Sequence, residues 1–475
     1  MSKFHFRCIY IFLLLLSFSS KGQEVNLDSL WGVWNDKTQQ DTNRLKAMID
    51  IAWDGYLYSN PDSAFYFAQM GYDFAEATNH KKWMANSLNI QGVSLRNQGN
   101  YEKALEYHSK SLAIRKKLGD KKGMGSSYNN IGLIYQDQGN FEKALEYYLK
   151  SLAIKEELGD KKGMGNSYNN IGNIYWSQGN YEKALEYHSK SLAIAKELGD
   201  KRGMGSSTGN IGNVYWSQGN YEKALEYHSK GLSIDKELGD KKGMGNSYNN
   251  IGLIYHDQGN YEKALEYYSK SLAIKEELGD KKGMVNSYNN IGNIYWSQGN
   301  YEKALEYHSK SLAIAKELGD KRGMGSSTGN IGNVYWSQGN YEKALEYHSK
   351  GLSIDKELGD KKGMGNSYNN IGLIYHDQGN YEKALEYYSK SLAIRKELDD
   401  KKGMGDSYQN IGLIYKEQGN YEKALDYLLR AKNILQEINT IENLDETSES
   451  LSEVYKKLGK YKQALEMHEL YMETK

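Results

Sequence analysis

A single proline and a single cysteine occur among 475 residues, and basic and acidic side chains balance at 61 each. With only Pro61 to break it, the chain suits helix almost throughout and leaves no room for proline-rich linkers. Cys8 lies in an apolar N-terminal stretch, so the rest of the chain has no disulfide, no zinc thiolate centre and no cysteine nucleophile. The absence of net charge removes the field that would draw the protein to nucleic acid or an anionic membrane, and no nucleic-acid partner is expected. A long apolar run is also missing: Cys8 to Phe18 is too short to span a bilayer. Lys3 and Arg7 precede that run, and Ser20 and Gly22 follow it. Residues 1–22 therefore read as a signal peptide, with an uncleaved anchor as the alternative. An exported mature chain in the periplasm or cell envelope, without membrane insertion, is the expectation.

What the chain does have is repetition. "YEKALEY" or a near variant begins at positions 101, 141, 181, 221, 261, 301, 341, 381 and 421, and "YKQALEM" begins at 461. A fixed period of 40 residues signals a solenoid. Residues 141–260 and 261–380 differ only at Phe141/Tyr261, Leu149/Ser269 and Gly165/Val285, so a block of three repeats has been copied whole. Within each repeat the punctuation predicts two helices. Asp160 caps a first helix running to about Ser177, Gly179 stops it, Asn180 caps a second helix to about Leu198, and Gly199 stops that one. Met164, Tyr168, Ile171 and Tyr175 share one face of the first helix, and Tyr181, Ala184, Leu185, His188 and Leu192 share one face of the second. Such faces are buried only against each other and against neighbouring repeats. Glu186 and Lys190 form an i,i+4 pair expected on the solvated side.

Tyr168-x-x-Ile171-Gly172-x-x-Tyr175, followed by Gly179, Ala184 and a ring at 188, resembles the tetratricopeptide repeat. The resemblance extends from about residue 41 to 475. Forty residues and the absence of a closing proline make it similar to the long-repeat branch of kinesin light chains and Pins-type adaptors. It implies an all-α fold, a right-handed superhelical α-solenoid, whose array holds peptides. The expected organisation is a lead segment at 23–40, a divergent first repeat at 41–80, nine 40-residue repeats over 81–440 and a divergent terminal repeat at 441–475. The two end segments also resemble bacterial envelope sensors, in which a periplasmic array precedes a membrane helix and a histidine kinase or cyclase.

A second stripe on the first helix lies outside the packing face, at the fifth, ninth and twelfth positions of the motif. In tetratricopeptide arrays this stripe lines the concave groove. Its polar and aromatic members are Asn129 and Gln136; Asn169, Asn173 and Trp176; Asn213 and Trp216; and Asn249 and His256. The copied block supplies Asn289, Asn293 and Trp296; Asn333 and Trp336; and Asn369 and His376. Amides pair with the backbone of an extended peptide whatever its sequence, and Trp gives large contact area at low entropic cost. The stripe is thus read as a peptide-binding groove with two near-identical stretches. Packing against the adjacent repeat is the competing role for each of these residues, and a sugar-binding surface is a further alternative.

Chemistry has little foothold. His108, His188, His228, His308 and His348 occupy the core-ring position of the second helix, about one helix spacing apart and too far to share a metal ion. "GDKKGMGNS" lacks the Gly-Lys-Ser/Thr ending of a phosphate loop and follows a helix, so Gly163 and Gly165 read as sites of close helix packing. No catalytic residue, metal or cofactor is expected. The expected function is a non-enzymatic scaffold for a protein or peptide ligand, of unspecified oligomeric state. The alternative is the sensory part of an envelope signalling protein.

Overall fold

The computed structural model describes residues 26–438, 440 and 443–475; the signal peptide expected at 1–22 lies outside them. Among the described residues the chain is a succession of helices with no strand. It divides into two units, residues 1–258 and 259–475.

The first unit shows how the punctuation works. Helices Lys161–Ser177 and Tyr181–Glu197 make one repeat. Asp160 Oδ1 accepts from Gly163 N at 2.9 Å, and Asn180 Oδ1 accepts from Lys183 N at 3.2 Å, so each cap satisfies one of the helix's otherwise unpaired amides. Gly179 and Gly199 reverse the chain with φ of +73° and +63°, a region that costs glycine nothing. Across the first turn, Asn180 N donates to Tyr175 O at 2.9 Å, closing the exposed helix end. Both helices thus end within a residue of the predicted positions, because start and stop are set by local chemistry.

Between helix Phe141–Glu157 of the preceding repeat and Lys161–Ser177, the residues Ala144, Tyr148, Leu152, Ile171 and Ile174 form a buried cluster, with Tyr168, Tyr175 and Tyr187 packed against it. The glycine of the packing motif has a specific cause. An ideal Cβ on Gly172 would come within 2.6 Å of the His188 ring, and one on Gly132 within 2.7 Å of the Tyr148 ring. The ring of the second helix lies directly on the backbone of the first, so a side chain there is excluded. Gly163 is similarly constrained: a Cβ would sit 2.3 Å from the capping carboxylate of Asp160. Gly165 is not, since the nearest atom, on Ile194, is 3.5 Å away.

The unit begins with less regular structure. Helix Leu27–Asn35 lays Trp31 and Trp34 edge-on against Phe67 and Phe74, each pair with centroids 5.3 Å apart. Helix Asp41–Asp50 continues into a π-helical turn, Ile51–Tyr56, before Pro61–Ala77, which starts with the chain's one proline at a position that needs no N–H.

In the second unit the same pair recurs from Tyr261–Glu277 to Tyr421–Glu437. Its largest buried cluster joins Ala384, Tyr388, Leu392, Tyr408, Ile411, Ile414 and Ala431. Val285, the counterpart of Gly165, is 1% exposed, so the added side chain is absorbed into packing. The unit ends with Leu444–Lys457 and Tyr461–Thr474; in the last helix Ala464 is the only buried residue, and its outer face is left to solvent. Glu186–Lys190 and its counterpart Glu306–Lys310 are ion pairs of 2.6 Å on exposed surface, each stabilising by a few tenths of a kcal/mol.

Candidate functional site: the amide and indole stripe

The stripe is presented by first helices, and its three positions turn out to do different things. At the fifth position, Asn169 uses both ends of its amide internally. Its Oδ1 accepts from His188 Nδ1 at 3.0 Å, and its Nδ2 donates to Ser207 Oγ, on the next first helix, at 3.1 Å. Asn289 repeats this with His308 at 3.1 Å and Ser327 at 3.1 Å, and is itself buried. A buried imidazole needs a partner for its N–H, and this amide provides it while tying one repeat to the next. Asn129 and Asn369 accept instead from Asn170 Nδ2 and Asn410 Nδ2, at 2.9 and 3.1 Å. Asn249 is half-buried.

At the twelfth position each indole reaches the following repeat. Trp176 Nε1 donates to Ser217 Oγ at 2.8 Å and Trp216 Nε1 to Asp257 Oδ2 at 2.7 Å. In the second unit Trp296 donates to Ser337 at 2.8 Å and Trp336 to Asp377 at 2.7 Å. The rings are not withdrawn by these bonds: Trp296 remains 37% exposed and the other three are half-buried. His256 Nδ1 lies 3.1 Å from Asp257 Oδ1, and His376 Nε2 lies 2.9 Å from Glu417 Oε2.

The ninth position differs from both. Asn173, Asn213, Asn293 and Asn333 are half-buried, and among the described residues their side chains make no hydrogen bond. Each unit has two amides of this kind, each three residues before a Trp of its own helix. Each has two donors and an acceptor to offer.

Two sets of residues escaped the sequence reading. Asn occurs at the sixth position in every repeat from Asn130 to Asn410, and Asn130, Asn170 and Asn410 each donate to the amide of Asn89, Asn129 and Asn369 in the repeat before. Its invariance within the chain was the available signal. The second set is a run of part-buried charges near the end of the second helix. Lys155 Nζ donates to Ser167 Oγ at 2.8 Å, and burial lowers its pKa; Asp235 accepts from Ser247 Oγ at 2.9 Å, and burial raises its pKa.

The five core histidines are at most 2% exposed. Burial lowers His188, His228, His308 and His348 to about 4 and His108 to about 3, so each is neutral at pH 7. Among the described residues no three His, Cys, Asp or Glu side chains gather in a way that could hold a metal ion. No described helix is long and apolar enough to cross a membrane.

The tetratricopeptide repeat model matches residues 83–157 and 163–237, then overlapping windows from 203 to 437, and finally 404–475. The chain is a tetratricopeptide repeat protein. No curated protein sequence matches it. The repeat array is similar to the Signal Transduction ATPase with Numerous Domains (STAND) protein of Pyrococcus horikoshii, which has a tetratricopeptide repeat sensor. Identity is 17% and the TM-score 0.50, over 90% of this chain and 72% of that one. It is also similar to a Rap protein complexed with competence and sporulation factor, at 16% identity and TM-score 0.50 over 76% and 99% of the two chains. The apo quorum sensor NprR of B. thuringiensis matches at 16% and 0.50 over 75% and 99%. At these identities the likeness concerns the α-solenoid fold.

Proposed function

We propose that this tetratricopeptide repeat protein is a non-enzymatic scaffold that holds an extended protein or peptide segment along the first-helix stripe. The observation that carries the reading is the pair of ninth-position amides in each unit. Asn is a poor helix former, and Asn169 and Asn289 are accounted for by the bonds they make inside the protein. Asn173, Asn213, Asn293 and Asn333 have no such partner among the described residues, and half-exposed indoles flank them. Backbone amides of an extended chain would complete the hydrogen bonding, and the indole faces would cover its side chains. A solenoid of the same fold occurs as the Rap protein complexed with competence and sporulation factor, which supports the reading.

Replacing the four ninth-position Asn residues together by Ala tests it. Ala is the better helix former, so the fold is retained. Binding to a displayed library of extended peptides is expected to fall at least tenfold; undiminished binding would sink the proposal. We further propose that the scaffold acts in the cell envelope, on the strength of the basic and apolar leader at 1–22. An alkaline phosphatase fusion to that leader should be active outside the inner membrane, and an inactive, correctly expressed fusion would remove this half of the reading. The leader equally favours a second reading, in which the array is the sensory part of an envelope signalling protein.

A further inference from the structure

The fourth position of the motif, outside the stripe, alternates in a way the peptide groove does not use. Six repeats place Tyr there: Tyr128, Tyr168, Tyr248, Tyr288, Tyr368 and Tyr408. Two place Thr, at Thr208 and Thr328.

Tyr368 shows what the ring does. Its centroid lies 6.0 Å from that of Tyr387, with Lys356 Nζ at 5.7 Å and Lys390 Nζ at 5.9 Å, so the phenol is bracketed by another ring and two ammonium groups. One repeat earlier the same surroundings are built without it. Lys316, Tyr347 and Lys350 occupy the places of Lys356, Tyr387 and Lys390, and Lys350 keeps a distance of 4.8 Å to the Tyr347 ring, as Lys390 does to Tyr387. In place of the missing ring is a cavity of about 310 Å³, lined by these residues with Leu312, Met324, Thr328, Ser353 and Ile354. The Thr328 hydroxyl donates to Met324 O at 2.6 Å, within its own helix. The volume reaches the lower bound of about 300 Å³ usual for small-molecule sites.

We propose that this cavity binds a phenol-type aromatic ring, brought by a free aromatic acid or by a tyrosine side chain. The protein supplies its own template: a phenol stands at the equivalent position in six repeats, four with cations at both bracketing places and two, at Tyr168 and Tyr288, with Glu156 and Glu276 at one of them, and the two ammonium groups and ring that bracket Tyr368 persist around Thr328. Cation–π attraction and apolar contact select an aromatic ring over a saturated one of equal size. The Lys316 ammonium forms no ion pair or hydrogen bond among the described residues, so an acidic substituent on the ring meets a cation that needs no displacement. Leu192, Lys196, Met204, Thr208, Tyr227, Lys230 and Ile234 are the same residues in the first unit, and the proposal extends to them as a second site. None of the stripe residues lines the cavity, so the site stands independently of the peptide groove.

Titration calorimetry on the full chain with 4-hydroxyphenylacetate and with N-acetyltyrosinamide tests the proposal and separates the two sources of the ring. Binding of either compound at two sites per chain is expected, with cyclohexylacetate at least tenfold weaker than the aromatic acid. The double variant T208Y/T328Y should abolish binding while melting no lower than the parent, since Tyr is what six other repeats carry. Conversely, Tyr368→Thr opens a third cage around Lys356, Tyr387 and Lys390, and should raise the stoichiometry from two to three. Failure of both aromatic compounds to bind, equal binding of the cyclohexyl acid, or unchanged binding in T208Y/T328Y would overturn it. So would a folded Y368T that gains no site.

Discussion

Residues 281–320 and 321–360 are adjacent repeats of one unit, built on the same helical pair, yet they have settled the same packing problem differently. In the first, Tyr288 and Asn289 precede the shared core; the ring packs on Tyr307 with centroids 6.1 Å apart, and the amide bonds His308. In the second, Thr328 and Gly329 stand in their place. A cavity replaces the ring, and His348 is left with a buried Nε2 that has no hydrogen bond. Both repeats keep the Gly–His contact: an ideal Cβ would lie 2.6 Å from His308 at Gly292 and 2.8 Å from His348 at Gly332. Backbone architecture therefore depends on the glycine, the ring of the second helix and the caps, whereas the residues just ahead of the core are free to be spent on something else.

The largest effect expected from this comparison is on acid stability. The buried histidines have folded pKa values of about 3 to 4, below the unfolded value of 6.5. Between those values the unfolded chain binds protons that the folded chain refuses. Stability is thus full above pH 6.5 and is lost as pH falls towards 4, by on the order of 3 kcal/mol per histidine at the lower end. Thermal melts at successive pH values should show the fall. Changing the five histidines to Tyr, the residue already present at Tyr148, Tyr268 and Tyr388, should largely flatten it; an unaltered pH profile in that variant would assign the acid sensitivity elsewhere.

Next in size, Gly292→Val and Gly332→Val should destabilise alike, by about 3 kcal/mol each, because the intruding side chain meets a buried ring in both repeats. Hydrogen exchange resolved along the chain would register local opening around the altered repeat. Protection equal to that of the parent would show that the ring can move aside.

A smaller effect separates the two repeats. Asn289→Ala strands the His308 N–H and should cost about 1 to 2 kcal/mol. Gly329→Asn gives His348 a partner and removes a helix-interior glycine, so it should stabilise by about 1 kcal/mol. Urea melts of both variants check the opposite signs; two changes of the same sign would mean that the amide does not serve the imidazole.

The helices were legible in the sequence because caps and stops act over three or four residues. Asp160, Gly179, Asn180 and Gly199 carry that information on their own, and the 40-residue period extends it along the chain. The packing face was legible too, although Ile174 and Ser167 are also buried and were not singled out. What was hidden depends on partners distant in sequence. The bond from Asn169 to Ser207 spans 38 residues and that from Trp176 to Ser217 spans 41, and neither can be read until two first helices are set side by side. For the same reason the stripe could be recognised as a stripe, while the different duties of its fifth, ninth and twelfth positions could not. The substitution of Thr for Tyr was visible throughout, but a missing ring becomes a cavity only when its neighbours fail to close in.

The three differences between residues 141–260 and 261–380 carry one more consequence. Gly165 and Val285 occupy the same place in helices of the same length, and neither the caps nor the core rings respond to the change. Within each unit the copied repeats meet their successors through the same contacts, Trp176 with Ser217 matching Trp296 with Ser337 and Trp216 with Asp257 matching Trp336 with Asp377. The protein is therefore made of interchangeable parts: whole repeats can be gained or lost in 40-residue steps with no new interface to invent, and the number of binding positions can evolve by counting instead of redesign.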